Sequence, residues 1–104
     1  MTFAPTSATG GTPVTATSID PCPAAPAGSA AFALLFLLSF AGNRADVVVD
    51  PLPQSGGPFT LQGMVPAGLA AGQYQTVVSC GVTFSGDPIF YPYAGDLGPM
   101  ISLS

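Results

Sequence analysis

The sequence predicts an all-β fold, a sandwich of six or seven strands in a single domain. Three observations predict it. Gly72 to Cys80 alternates with the two-residue period of a half-buried strand, Tyr74, Thr76, Val78 and Cys80 on one side and Gln73, Gln75, Val77 and Ser79 on the other. The 13 Gly and 12 Pro fall between apolar runs, as turns between strands do. Hydrophobic residues make up 48% of the chain, which supports a core and argues against disorder. A chain of 104 residues suits one domain with a modest core.

Taken in order, the elements read as follows. Thr2 to Gly11 is rich in Pro, Ser, Thr and Gly and suits a sheet edge. Pro13 to Ile19 is the first clear strand, Val14 and Ala16 facing inward, and a proline-rich connector holding Cys22 follows it. Ser29 to Ala41 is the most apolar segment, and three structures compete for it. A membrane span needs about 20 apolar residues, and this run has about 13. A buried helix suits its Ala and Leu content. A strand apolar on both faces would put Phe32, Leu34, Phe36, Leu38 and Phe40 on one side and Ala31, Ala33, Leu35 and Leu37 on the other. The β character of every neighbouring segment favours the strand, over residues 31 to 40. Such a strand has an apolar outer face too, which monomers seldom leave bare.

Gly42-Asn43 signals a turn, and Ala45 to Asp50 is a short β-branched strand. Pro51 to Pro58 reads as a loop. Phe59 to Val65 alternates, with Phe59, Leu61 and Val65 inward and Thr60, Gln62 and Met64 outward. Pro66 to Gly72 leads into the strand ending at Cys80, and Cys80 to Phe84 extends it. Asp87 to Pro99 reads as a Gly/Pro loop carrying Ile89, Phe90, Tyr91 and Tyr93, and Met100 to Ser104 as a terminal strand.

Charge is scarce. Charged residues are 6% of the chain: one Arg, five Asp, and no Lys, His or Glu. Phosphate neutralisation needs several cations, so nucleic-acid binding is excluded as an expectation, and attraction to anionic lipid with it. A catalytic function would need an acid, base or activated nucleophile. Asp46 and Asp50, four residues apart on one strand, would share a face about 13 Å apart, too far for paired carboxylates. Zinc or copper would need His or free Cys. The expectation is therefore no enzyme, no metal and no cofactor. Two cysteines, one after each of two strands, suggest a Cys22–Cys80 disulfide and an oxidising setting.

Pro5-Thr-Ser, then Gly11-Thr-Pro-Val-Thr-Ala-Thr, then Cys22-Pro resembles the opening of bacterial immunoglobulin-like domains. Gly57-Pro-Phe-Thr-Leu, Val65-Pro-Ala-Gly, Gly72-Gln-Tyr and Cys80 resemble that family's second half. The likeness covers nearly the whole chain through short, degenerate motifs. It implies an immunoglobulin-like β-sandwich of about seven strands with one inter-strand disulfide. Leu69 to Tyr74 is similar to the tyrosine corner of such sandwiches, where a Tyr hydroxyl bonds nearby backbone. The apolar run at 29 to 41 and the missing charge depart from that family.

These readings lead to two functional expectations. The first is a structural surface module that packs against copies of itself or a scaffold, with Ile89, Phe90, Tyr91 and Tyr93 as candidate interface. Its setting would be a virion, as a capsid decoration or tail protein, or a bacterial cell surface. Met1 to Pro5 has neither the basic start nor the apolar run of an export signal, which favours the virion if Met1 is native. The second is a secreted carrier of an apolar small molecule, similar to the enediyne-binding chromoproteins in size and acidity, although those normally carry two disulfides.

Overall fold

The computed structural model of the chain describes residues 1–22, 26–51, 57–84 and 87–104, with backbone alone at 19–22, 57–58, 84 and 88–96. Among the described residues eight strands follow one another: β1 (Thr2–Ala4), β2 (Ser7–Ala8), β3 (Pro13–Cys22), β4 (Ala30–Ser39), β5 (Arg44–Pro51), β6 (Gly57–Met64), β7 (Gly72–Phe84) and β8 (Asp87–Leu103). They form a three-stranded sheet ordered β1-β3-β6 and a five-stranded sheet ordered β2-β8-β7-β4-β5. All pairings are antiparallel except β2 with β8. Among the described residues no helix is long and apolar enough to cross a membrane.

The two sheets pack face to face. Phe3, Val14, Ala16 and Leu61 from the smaller sheet meet Ala33, Leu35, Leu37, Tyr74, Val78 and Ile101 from the larger. On β7 the buried set is Tyr74, Thr76, Val78, Cys80 and Val82, the period-two pattern that the sequence predicts. Thr76 is a hydroxyl inside an apolar layer, and it donates to the Pro99 carbonyl at 2.8 Å. That bond removes the cost of an unpaired buried donor. Along one side the sandwich closes tightly, because Val47 and Val48 of β5 lie over Gly63 of β6. A Cβ at position 63 would stand 2.8 Å from Val47 Cγ1.

The apolar run is a strand. β4 sits between β7 and β5 and pairs with both along its length. Its Ala and Leu content favours helix locally. A helix there would strip β5 and β7 of their shared neighbour and leave two rows of backbone groups unpaired.

Two expectations need correction. Asp87 to Pro99 is not a loop: its backbone continues β8. The three prolines that suggested a loop are accommodated without a central-strand position. β8 pairs on its far side only at Ser102 and Leu103, so Pro88 lies where one edge of the strand is open. Pro92 and Pro99 fall inside breaks of the β7–β8 register. Asp46 and Asp50 also do not share a face. Leu35 pairs with Val48 and Phe36 with Asp46, so Val47 is an extra residue in β5. This bulge inverts the alternation. It leaves Asp46 across from outward-facing Phe36 and Asp50 across from inward-facing Ala33.

Tyr74, at the start of β7, donates its hydroxyl to the Ala70 carbonyl at 2.8 Å. The bond ties the lead-in segment to the strand it feeds. Tyr74→Phe is expected to lower unfolding free energy by about 1 kcal/mol without changing the fold, as read by urea denaturation. An unchanged midpoint would remove this bond from any structural role.

Candidate functional site: the outer face of the five-stranded sheet

The two outer faces differ in chemistry. On the smaller sheet, Thr2, Thr17 and Thr60 share one cross-strand row, and Ala4, Thr15 and Gln62 the next. These rows are mostly polar and uncharged, and the next row adds Pro13 and Met64, the latter 60% exposed. On the larger sheet, alternation sends Phe32, Leu34, Phe36 and Leu38 of β4 outward, because Ala33, Leu35 and Leu37 fill the core. An apolar layer therefore lies on the far side of the sheet from the core.

The register explains its shape. Phe32 stands beside Gly81 and Leu34 beside Ser79 on β7, while Pro51 and Val49 flank them on β5. The trough runs over the β4–β5 pair, with Thr83 of β7 closing it beside Ala30. The result is a groove of about 580 Å³ lined by Ala30, Phe32, Leu34, Val49, Pro51 and Thr83, with Arg44 and Asp46 at its polar end. Phe32 and Leu34 form its deep part, and Leu34 is only 2% exposed. Around the groove and along the same face, Val49 is 57% and Leu97 66% exposed.

Arg44 is the chain's one cationic side chain. Its guanidinium lies 4.5 Å from the centre of the Phe36 ring, and its Nε donates to Asp46 Oδ1 at 2.7 Å. Cation–π attraction and the ion pair hold it flat on the sheet. The pair is solvent-exposed, so its contribution to stability is small. Its effect on the site is electrical: the face carries no net charge where the groove opens.

The predicted interface residues lie on β8, beside this face. Ile89 and Phe90 pair through their backbones with Val82 and Gly81. Between Ser79 and Gly81, β7 advances two positions while β8 runs from Gly95 back to Phe90. Tyr91 and Tyr93 thus occupy an excursion of β8 away from regular pairing. The side chains of Ile89, Phe90, Tyr91 and Tyr93 lie outside the described residues. Cys80 is buried on the inner face of β7, in the larger sheet. Cys22 ends β3, in the smaller sheet, with its backbone paired to Gly57. The Cys22 side chain lies outside the described residues. Among the described residues no group of three or more His, Cys, Asp or Glu gathers as a metal site would need.

Sequence reasoning placed Phe40 at the end of the apolar outer face of the strand, but missed the groove and the turn position of Phe40, because β4 ends at Ser39. Phe40 follows β4 in the turn Ser39–Asn43 and is 85% exposed. The signal for the turn position was present: Phe40 lies two residues before Gly42-Asn43, within a turn, where polar residues are usual. The groove joins outward residues of β4 and β5 with Thr83 of β7, and only the register of those strands brings them together. The chain matches no protein-family model and no curated protein.

Proposed function

We propose that this chain is a non-enzymatic structural module with an immunoglobulin-like sandwich, which assembles with copies of itself or with a scaffold. The observation that carries the reading is the apolar outer face of the five-stranded sheet. Leu38, Val49 and Leu97 are exposed on it, Phe40 projects from its end, and a groove is cut into it. Exposed apolar area of this kind marks binding surfaces. With 6% charged residues, the chain has little repulsion to hold copies apart.

The immunoglobulin-like part draws on three features. β3 and β7 lie in opposite sheets and each bears one cysteine, as the disulfide-bearing strands of that fold do. The order β2-β8-β7-β4-β5 adds one strand on each side of the central three. The Tyr74 hydroxyl bonds backbone upstream, as a tyrosine corner does. Its setting, in this reading, is a virion surface or a bacterial cell surface. Its partner is protein, with no nucleic acid and no membrane insertion.

Sedimentation over a wide concentration range tests the reading. Mass should rise with concentration, through an interface of at least about 1,000 Å² in total where a scaffold takes part. A monomer at every concentration, indifferent to candidate scaffolds, would defeat it. A second reading, a carrier of an apolar small molecule, is favoured by the groove, whose volume lies within the range of ligand sites. Saturable uptake of Nile red, an uncharged apolar dye, by a strictly monomeric protein is its expected sign.

A further inference from the structure

We propose that the groove on the five-stranded sheet receives the Phe40 turn of a second copy, so that chains associate head to tail. The proposal rests on the assembly reading above and names the partner of that face.

Phe40 is built as a projecting knob. The Ser39 amide donates to the Asn43 carbonyl at 2.9 Å and the Gly42 amide to the Ser39 carbonyl at 3.0 Å. The Asn43 amide donates to Ser39 Oγ at 3.0 Å. Gly42 has φ 87°, which only Gly adopts freely, so the turn closes without strain. The turn is held before any partner arrives, and little ordering entropy remains to be lost on docking. Phe40 is 85% exposed on a turn held by its own hydrogen bonds.

The groove is built as a hole. Its deep part is Phe32 and Leu34, already screened by the walls, while Val49 stands at the rim. A second flat sheet laid across would touch the rim and leave several hundred cubic ångströms empty, contrary to the close packing of real interfaces. The occupant has to project, be apolar and be uncharged. Phe40, followed by Ala41 and Gly42, meets all three conditions.

Phe40 lies past the polar end of the groove, six residues beyond Leu34, so about 20 Å along the strand direction separates it from the deep part of its own groove. A projecting group and a complementary pocket at different places on one molecule make a heterologous contact, which closes into rings or runs on as filaments. The ion pair of Arg44 with Asp46 leaves no net charge at the contact to oppose it.

Sedimentation of the whole chain and two variants tests this. Phe40→Ser removes the knob and keeps the hole. Val49→Arg spoils the hole and keeps the knob. Both residues are exposed, and circular dichroism should match the parent. Each variant alone should associate at least about 30-fold more weakly than the parent, the size expected for an anchoring residue. Mixed in equal amounts they should associate again and stop at heterodimers, because each pair has one intact knob and one intact hole. A reciprocal two-fold contact would stop the parent itself at dimers, whereas the head-to-tail contact takes the parent to larger rings or filaments. Unchanged association of Phe40→Ser would overturn the head-to-tail contact and leave the assembly reading standing. A parent that stays monomeric would overturn both. Nile red bound in the groove and not displaced as protein concentration rises would assign the groove to a small molecule instead.

Discussion

Leu35→Ala should lower the unfolding free energy by about 2–5 kcal/mol, the largest effect of any single truncation on the face of β4 that meets the core. Leu35 is fully buried at the middle of the five-stranded sheet, between Val48 on one side and Val78 on the other. Its neighbours are strands paired along their length, so the backbone has little freedom to collapse into the space. A cavity that cannot relax costs toward the upper end of the range. Leu38→Ala provides the control. Leu38 lies on the outer face at 36% exposure, and its truncation should cost under about 1 kcal/mol in the monomer. Urea unfolding of the two variants measures both. Equal losses would mean that the outer layer is as well packed as the core, and the case for an unfilled outer face would fall.

That contrast also shows what the sequence can and cannot convey. The alternation of β7 is legible because its outward residues, Val77 apart, are polar or small, so one period separates two environments. β4 has no such contrast. Both of its faces are apolar, and only its neighbours distinguish strand from helix. The pairing with β5 and β7 then decides against the local preference of Ala and Leu. β8 was read as a loop because prolines count against strands. The argument holds for a central strand and fails for one whose far edge is mostly open. The single-residue bulge at Val47 is invisible in Ala-Asp-Val-Val-Val-Asp, yet it reverses which face Asp50 shares. The groove depends on which β5 residues fall beside Phe32 and Leu34, and that register is a tertiary fact. The disulfide expectation is different again. It came from position alone, one cysteine after each of two strands, and the fold places those strands in opposite sheets.

Loss of a Cys22–Cys80 bond should destabilise the domain by about 2–5 kcal/mol, comparable to the Leu35 cavity but of different origin. The cross-link would close a loop of about 59 residues, for which chain entropy alone gives roughly 4 kcal/mol. That stabilisation acts on the unfolded chain, so it should survive conditions that weaken hydrophobic packing. β3 and β7 face each other across the core, and Cys80 is buried at 1% exposure. A bond there would join the sheets without adding any contact to the outer face. Cys80→Ala, and reduction of the parent, should therefore lower the urea midpoint by similar amounts. Association through the groove should persist in whatever fraction remains folded. Alkylation of the unfolded chain decides whether the bond exists. Unreduced protein should take up no label, and reduced protein two. Two labels without reductant would end the proposal. A midpoint indifferent to reductant would show that the sheets hold together by packing alone.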